Sequence, residues 1–194
     1  MNVQPVVLTG RHIRLEPLTL EHHDALCEIG LDDDLWRLIP TPVRTRDDML
    51  EYVRIALQWQ AAGTALPFAT FGLDAGRVVG CTRYMNIDKV NRHVEIGATW
   101  IGRPWQRTVV NTEAKYLMLR HAFEALGCIR VELKTDALNE RSRNAILRIG
   151  ARFEGIFRNH MICAGGRLRD SAWYSIIDRE WPQVKAALEQ KLAL

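Results

Sequence analysis

The sequence predicts a single α+β domain over residues 1–194, built on a central, twisted, mixed but mostly antiparallel sheet of about seven strands flanked by helices. Three observations carry this expectation. Segments of period-two hydrophobicity are interleaved with helical segments in the order βααβββαβαββα, so strands run both consecutively and around helices. Two strand pairs meet at tight-turn sequences, Asp74-Ala75-Gly76 and Ala164-Gly165-Gly166. No repeat, low-complexity tract or Pro/Gly/Ser linker divides the chain.

Taken in order, Arg11 to Leu18 alternates Ile13, Leu15 and Pro17 against His12, Arg14 and Glu16, a first strand with one wet face. Thr19 is placed to cap a helix over Leu20 to Gly30. An acidic loop, Asp32-Asp33-Asp34, follows, with Pro40 and Pro42 beyond it. A clearer helix runs from Asp47 to Ala62, opened at Thr45 or Arg46, with acids in its first turn and Gly63 past its end. Strands are expected over Leu66–Leu73, Arg77–Asn86 and Arg92–Ile101. The last of these alternates Val94, Ile96, Ala98 and Trp100 against His93, Glu95, Gly97 and Thr99.

The longest helix, Val109 to Leu126, is apolar over a wide arc and ends at Gly127. A strand over Ile129–Asp136 alternates cleanly, with Arg130, Glu132, Lys134 and Asp136 on one side. Asn139 caps a helix through Ile149. Strands Arg152–Cys163 and Leu168–Asp178 and a helix from Glu180 to Lys191 complete the chain.

Composition narrows the functional classes. The 194 residues are 47% hydrophobic and 25% charged, an ordinary globular balance with enough apolar content for one core. No apolar run reaches the ~20 residues of a membrane span, and the opening MNVQPVVLTGRH lacks the pattern of a signal peptide. Cys27, Cys81, Cys128 and Cys163 are scattered singly, so a reduced, cytoplasmic protein is expected. The six histidines show no ligand spacing, and no metal is called for. Net charge is +3, too small to argue for nucleic acid, and no basic stripe with interleaved aromatics appears. Residues 1–100 carry 10 Lys and Arg against 13 Asp and Glu, whereas residues 101–194 carry 16 against 10. A basic second half suits a polyanionic small ligand, or is simply a solvated surface.

Two segments carry chemistry. Between the strand ending at Ile101 and the long helix lies Gly102-Arg103-Pro104-Trp105-Gln106-Arg107-Thr108-Val109-Val110-Asn111-Thr112. A strand, a tight loop and a helix N-terminus gather unpaired backbone N–H groups and dipole charge at one point, which suits phosphate. Arg107 adds a full charge. A helix capped by Thr108 or Asn111 is the plainer account of the same residues. The second segment is Asn139-Glu140-Arg141-Ser142, followed by Gly150-Ala151-Arg152-Phe153-Glu154-Gly155. There Asn139 as an ordinary N-cap is sufficient by itself.

Together these runs resemble the GNAT superfamily of N-acetyltransferases. Gln106-Arg107-Thr108-Val109-Val110-Asn111 is similar to its coenzyme A pyrophosphate motif, and Asn139-x-x-Ser142 to its following strand–helix unit. Leu8-Thr9-Gly10-Arg11-His12-Ile13-Arg14-Leu15-Glu16-Pro17-Leu18 and His93-Val94-Glu95-Ile96-Gly97 resemble strands of the RimJ/RimL branch, the ribosomal-protein N-terminal acetyltransferases. The resemblance covers nearly the whole chain in the right order.

It implies a GNAT-like sheet split between the strand at Arg92–Ile101 and the one from Ile129, with acetyl-CoA as co-substrate. Pantetheine is expected to pair with the backbone of Thr99, Trp100 and Ile101. Gln106, Arg107, Thr108, Val109, Val110, Asn111 and Thr112 are expected to hold the pyrophosphate, and Asn139 and Ser142 to reach the pantetheine or acetyl region. Glu95 is the expected base, since a carboxylate can take the proton that an ammonium must lose before it attacks. Burial would raise its pKa toward a useful range. Ser142 is the expected acid for the departing thiolate. Trp36, Arg37 and Tyr84 are expected to contact the acceptor, with Asp32-Asp33-Asp34 favouring a cationic one.

The leading acceptor is a protein N-terminal α-amine, such as a ribosomal protein's. A small-molecule amine or antibiotic is the catalytic alternative. Val109 stands where the motif usually has glycine. If that position requires positive φ, a β-branched residue costs about 1–3 kcal/mol, and a catalytically degenerate interaction module becomes the reading of another class. A homodimer is expected from the family and from Trp173 and Trp181 as exposed aromatics; neither nucleic acid nor membrane is expected as a partner.

Overall fold

A computed structural model describes all residues, 1–194, and forms one eight-stranded mixed sheet in the order β1-β2-β3-β4-β5-β6-β8-β7. The strands are β1 (Leu8–Thr9), β2 (Ile13–Pro17), β3 (Leu66–Gly72), β4 (Arg77–Asp88), β5 (His93–Ile101), β6 (Arg130–Asp136), β7 (Arg152–Ile162) and β8 (Leu168–Ile177). The helices are α1 (His23–Gly30), α2 (Asp33–Trp36), α3 (Arg46–Ala61), α4 (Val109–Arg120), α5 (Glu140–Arg148) and α6 (Trp181–Leu192). Every pairing is antiparallel except β5 with β6, so the mixed, mostly antiparallel expectation holds.

The strand count is eight rather than seven. Leu8 pairs with Leu15 and Thr9 with Arg14, a two-residue strand too short to show periodicity. The acidic loop is also partly helical: Asp32 caps α2 by accepting from the Asp34 N–H at 3.1 Å.

Local chemistry explains the longer elements. Thr45 caps α3, its hydroxyl accepting from the Asp48 N–H at 3.1 Å while Asp48 Oδ2 accepts from the Thr45 N–H at 2.9 Å. The end of α4 widens into a π-helical turn over His121–Ala125, and Gly127 at φ +67° releases the chain toward β6.

The sheet divides the core in two. On one face α4 and α6 cover Ile13, Phe68, Tyr84, Ile96 and Tyr174. On the other, α1 and α3 cover a smaller cluster that includes Trp36, Met49, Val53, Cys81 and Trp100. Trp181, expected to be an exposed aromatic, is only 6% exposed and stacks on Phe123 at 5.4 Å. Its apolar ring closes the space between α4 and α6. Trp173 is half-buried and stacks on Phe157 at 4.5 Å.

The loop before β2 is tied to α4 by one side chain. The buried Glu113 carboxylate accepts from the backbone N–H groups of Arg11, His12 and Ile13 at 2.7, 2.8 and 2.8 Å. A Cβ on Gly10 would stand 2.5 Å from the Glu113 carboxyl carbon, so glycine is what lets the carboxylate approach.

Candidate active site

The site begins where the sheet comes apart. β5 and β6 pair only at His93, Val94 and Glu95, opposite Arg130, Val131 and Glu132. From Ile96 onward β5 has no strand partner on that side, which leaves the backbone of Thr99, Trp100 and Ile101 along an open edge.

A bulge shapes that edge and corrects the simple alternation expected for β5. Gly97 lies opposite Arg83, but Trp100 lies opposite Cys81, so β5 carries one residue more than β4 over this stretch. Ala98 takes the left-handed conformation at φ +46°, and Tyr52 of α3 donates its hydroxyl to the Ala98 carbonyl at 3.3 Å. Ile96 and Trp100 consequently pack into opposite cores rather than sharing a face.

Beside the open edge lies a turn of free backbone donors. The backbone N–H groups of Arg107, Thr108, Val109 and Asn111 make no hydrogen bond within the protein. Thr108 caps α4, accepting from the Val110 N–H at 3.3 Å and donating to the Trp105 carbonyl at 2.7 Å. Gln106 spans the split, donating to the Ile101 carbonyl and accepting from Arg141, each at 2.9 Å. A cavity of about 100 Å³ opens at this point among Asp32, Asp34, Arg103, Gln106 and Arg141. Free N–H groups at a helix N-terminus, with the exposed Arg107 beside them, fit a pyrophosphate.

The left-handed residue of this loop is Arg107, at φ +61°; Val109 has ordinary first-turn helical geometry. The cost feared for a β-branched residue at 109 therefore does not arise.

Glu95 is 1% exposed, yet it is not a solitary carboxylate. Its Oε2 accepts from Lys134 Nζ at 2.6 Å and from Asn86 Nδ2 at 2.7 Å, while Oε1 makes no hydrogen bond. The expectation of burial holds. Its burial is shared with a cation and an amide that hold one of its two oxygens. Asn86 reaches Glu95 from a left-handed turn of β4 at φ +50°, a conformation asparagine tolerates.

Asn139 is the N-cap of α5. Its Oδ1 accepts from the Ser142 N–H at 3.0 Å, and the Ser142 hydroxyl is left without a partner.

The acceptor contacts need correction. Trp36 is 2% exposed and donates its Nε1–H to the Gly30 carbonyl at 2.7 Å; it packs with Tyr52 and Trp100 in the smaller core. Tyr84 is fully buried and donates to the Met118 carbonyl at 2.5 Å. Both rings serve the core because their apolar area finds partners there and their polar atoms find backbone. Arg37 remains exposed. The acidic run is largely offset within the protein: Arg103 binds Asp32 through Nε and Nη2 at 2.9 and 2.8 Å and reaches Asp34 at 3.0 Å, while Arg44 lies 3.7 Å from Asp33. That leaves little charge there to attract a cationic acceptor.

Sequence reading missed Lys134 and Asn86 around Glu95, and Lys115 behind Thr99. Lys134 stood on the recognised polar face of β6, but which strand lay beside it was not legible. Lys115 Nζ donates to Thr99 Oγ1 at 2.5 Å and to Thr82 Oγ1 at 3.4 Å, with no carboxylate partner, and burial pushes its pKa down to about 7.

A mixed sheet that splays beside a helix N-terminus rich in free N–H groups, with a carboxylate at the fork, defines an acetyltransferase of the coenzyme A-using kind. Residues 12–152 match the model of the acetyltransferase (GNAT) domain, and the chain belongs to this family. It is similar to the Bacillus subtilis protein named "Putative ribosomal N-acetyltransferase YdaF", at 35% identity over 106 residues, 55% of this chain and 57% of that one. The match thus spans little more than half the length of that relative. It is also similar to the crystal structure of a GCN5-related N-acetyltransferase from Brucella melitensis, with 35% identity, a TM-score of 0.90, and coverage of 97% of this chain and 86% of the other. RimL, a ribosomal L7/L12 alpha-N-protein acetyltransferase, shares the fold at 17% identity and a TM-score of 0.79, over 90% of this chain and 96% of its own.

Proposed function

We propose that this enzyme transfers the acetyl group of acetyl-CoA to a protein N-terminal α-amine, by direct attack in a ternary complex. The observation that carries the reading is the pair formed by the free N–H cradle at Arg107–Asn111 and the unengaged Oε1 of the buried Glu95, at the two ends of one open β5 edge. The ribosomal name of the Bacillus subtilis relative supports the choice of acceptor. The single sheet running from Leu8 to Ile177 supports treating residues 1–194 as one working domain.

The bound co-substrate supplies an acetyl thioester. The N–H groups of Arg107, Thr108, Val109 and Asn111 hold its pyrophosphate, with Gln106, Val110 and Thr112 shaping the same turn, and the edge from Thr99 to Ile101 pairs with its pantetheine. Glu95 Oε1 takes the proton from the acceptor ammonium, which frees the lone pair for attack on the acetyl carbonyl. As the carbon–sulfur bond breaks, the second proton of the attacking nitrogen passes through the Ser142 hydroxyl to the departing sulfur, so that Ser142 ends protonated, and Asn139 steadies the amide-bearing arm nearby. Acetyl transfer needs no covalent enzyme intermediate in this scheme.

Calorimetric titration with acetyl-CoA, followed by assay of N-terminal peptides and small amines, tests the reading. The expected result is micromolar acetyl-CoA binding, kept in Glu95→Gln, together with acetylation of peptides, lost in Glu95→Gln. Absence of acetyl-CoA binding would sink the proposal. Acetylation confined to small amines would replace the acceptor.

A further inference from the structure

The sheet face that carries Glu95 contains two buried cations with no partner. Its other charges are matched: Lys134 holds Glu95, Arg130 holds Glu132 and Glu154, and Arg167 holds Asp136. Arg83 of β4 and Arg169 of β8 remain, 2% and 6% exposed, and neither forms an ion pair. A buried guanidinium without an anion is costly, and structures keep one where something else supplies the countercharge.

Arg83 is the more telling of the two. Its guanidinium lies 4.7 Å from the ring centre of Tyr52 and 5.5 Å from that of Trp59, which orient it by cation–π contact but accept none of its in-plane hydrogen bonds. The atoms left unpartnered are Nε and Nη2, the two donors of one edge. Arg103 shows what that edge takes elsewhere in this chain, since its own Nε and Nη2 grip the Asp32 carboxylate at 2.9 and 2.8 Å. Arg83 stands opposite Gly97, with Met85 opposite Glu95, so Arg83 and Glu95 are diagonal neighbours on adjacent strands, roughly 7–8 Å apart. One extended residue advances about 3.3 Å, so a chain whose amine sits at Glu95 brings a side chain of its first few residues within reach of Arg83.

We propose that Arg83 receives a carboxylate of the acceptor, so that the preferred N-terminus carries Asp or Glu within its first three residues. The inference rests on the protein N-terminal reading given above. It reverses the preference expected from Asp32-Asp33-Asp34, whose three charges are offset by two, those of Arg103 and Arg44. Trp59, 42% exposed, lies between the guanidinium and the surface of α3 as the exposed one of its two aromatic neighbours.

The test is kcat/KM of the unaltered enzyme on peptides with a constant first residue and Asp, Asn or Lys at positions two and three. Free glutamate and aspartate serve as small-molecule arms. About tenfold or greater preference for Asp over Asn is expected, the size of one charge-assisted hydrogen-bonded pair. In Arg83→Met that ratio should collapse toward one, and Arg83→Lys should restore part of it; thermal melts report whether each variant folds. Equal rates on Asp and Asn peptides by the unaltered enzyme would overturn the role of Arg83 while leaving the N-terminal acetyltransferase reading intact. Acetylation of free glutamate or aspartate alone would keep the carboxylate-binding role and overturn the peptide acceptor. No acetylation in any arm would overturn both.

Discussion

Lys134 Nζ stands 2.6 Å from Glu95 Oε2, joining the first strand on the far side of the sheet's fork to the carboxylate on its near side. The pair lies just where β5 and β6 cease to be hydrogen-bonded neighbours, and it holds one carboxylate oxygen while leaving the other free. Two predictions follow from that division. Glu95→Gln should lower kcat by about 100-fold or more, because the proposed proton acceptor is gone, with acetyl-CoA affinity retained in calorimetry. Lys134→Met should lower stability by about 3 kcal/mol in urea titration, since it strands a buried carboxylate. A smaller loss in the Lys134→Met, Glu95→Gln double variant than in Lys134→Met alone would attribute the cost to that stranded charge.

The buried Lys115 predicts a pH dependence. Its folded pKa of about 7 lies below the value of an unfolded lysine, so between these the unfolded chain binds the extra proton. Stability should therefore rise as pH increases from about 7 toward 10, and the penalty should be fully present below 7. Lys115→Met, which keeps the bulk and removes the charge, should flatten that slope and raise the melting temperature at pH 7. An unchanged slope in the variant would refute the assignment. Thr82 and Thr99 hydroxyls, 2.7 Å apart, remain bonded to each other in the variant.

Glu113 and Gly10 predict a specific structural defect. Glu113→Ala leaves the N–H groups of Arg11, His12 and Ile13 without their acceptor and should cost about 3 kcal/mol or more. Gly10→Ala drives a methyl against the carboxylate and should cost about 1–3 kcal/mol. Hydrogen exchange checks both: protection at residues 11–13 should fall before that of β3 and β4.

The loop proposed to hold the pyrophosphate offers a further test. Val109 already has helical geometry, so Val109→Gly should not tighten acetyl-CoA binding and should lose about 0.5–1 kcal/mol of stability from added backbone freedom. Arg107 holds the positive φ, and Arg107→Gly should relieve strain while weakening binding through the lost charge. Calorimetry and thermal melts on the two variants separate these effects.

Most elements were legible because they rest on local physics. Thr45 and Asp48 cap α3, Asn139 caps α5, and the turn after Leu73 closes a hairpin, each through residues a few positions apart. The alternating periods of β2 and β6 report which side meets a core. The strand of two residues, the helical turn at Asp33–Trp36 and the bulge at Ala98 were not legible, since none has the length or period to mark it.

The sequence by itself determined the family and the order of the longer strands and helices, because motifs and caps act over short spans. Tertiary structure alone decided which side chains share the site. The parallel alignment of β5 with β6 sets Lys134 against Glu95, and the bulge sends Trp100 into the opposite core from Ile96. Packing draws Trp36 and Tyr84 inward, and the approach of Arg103 to Asp32 and Asp34 offsets part of the acidic run's charge. Charges far apart in sequence neutralise one another only when folding brings them within a few ångströms, and that distance is not written in any local pattern.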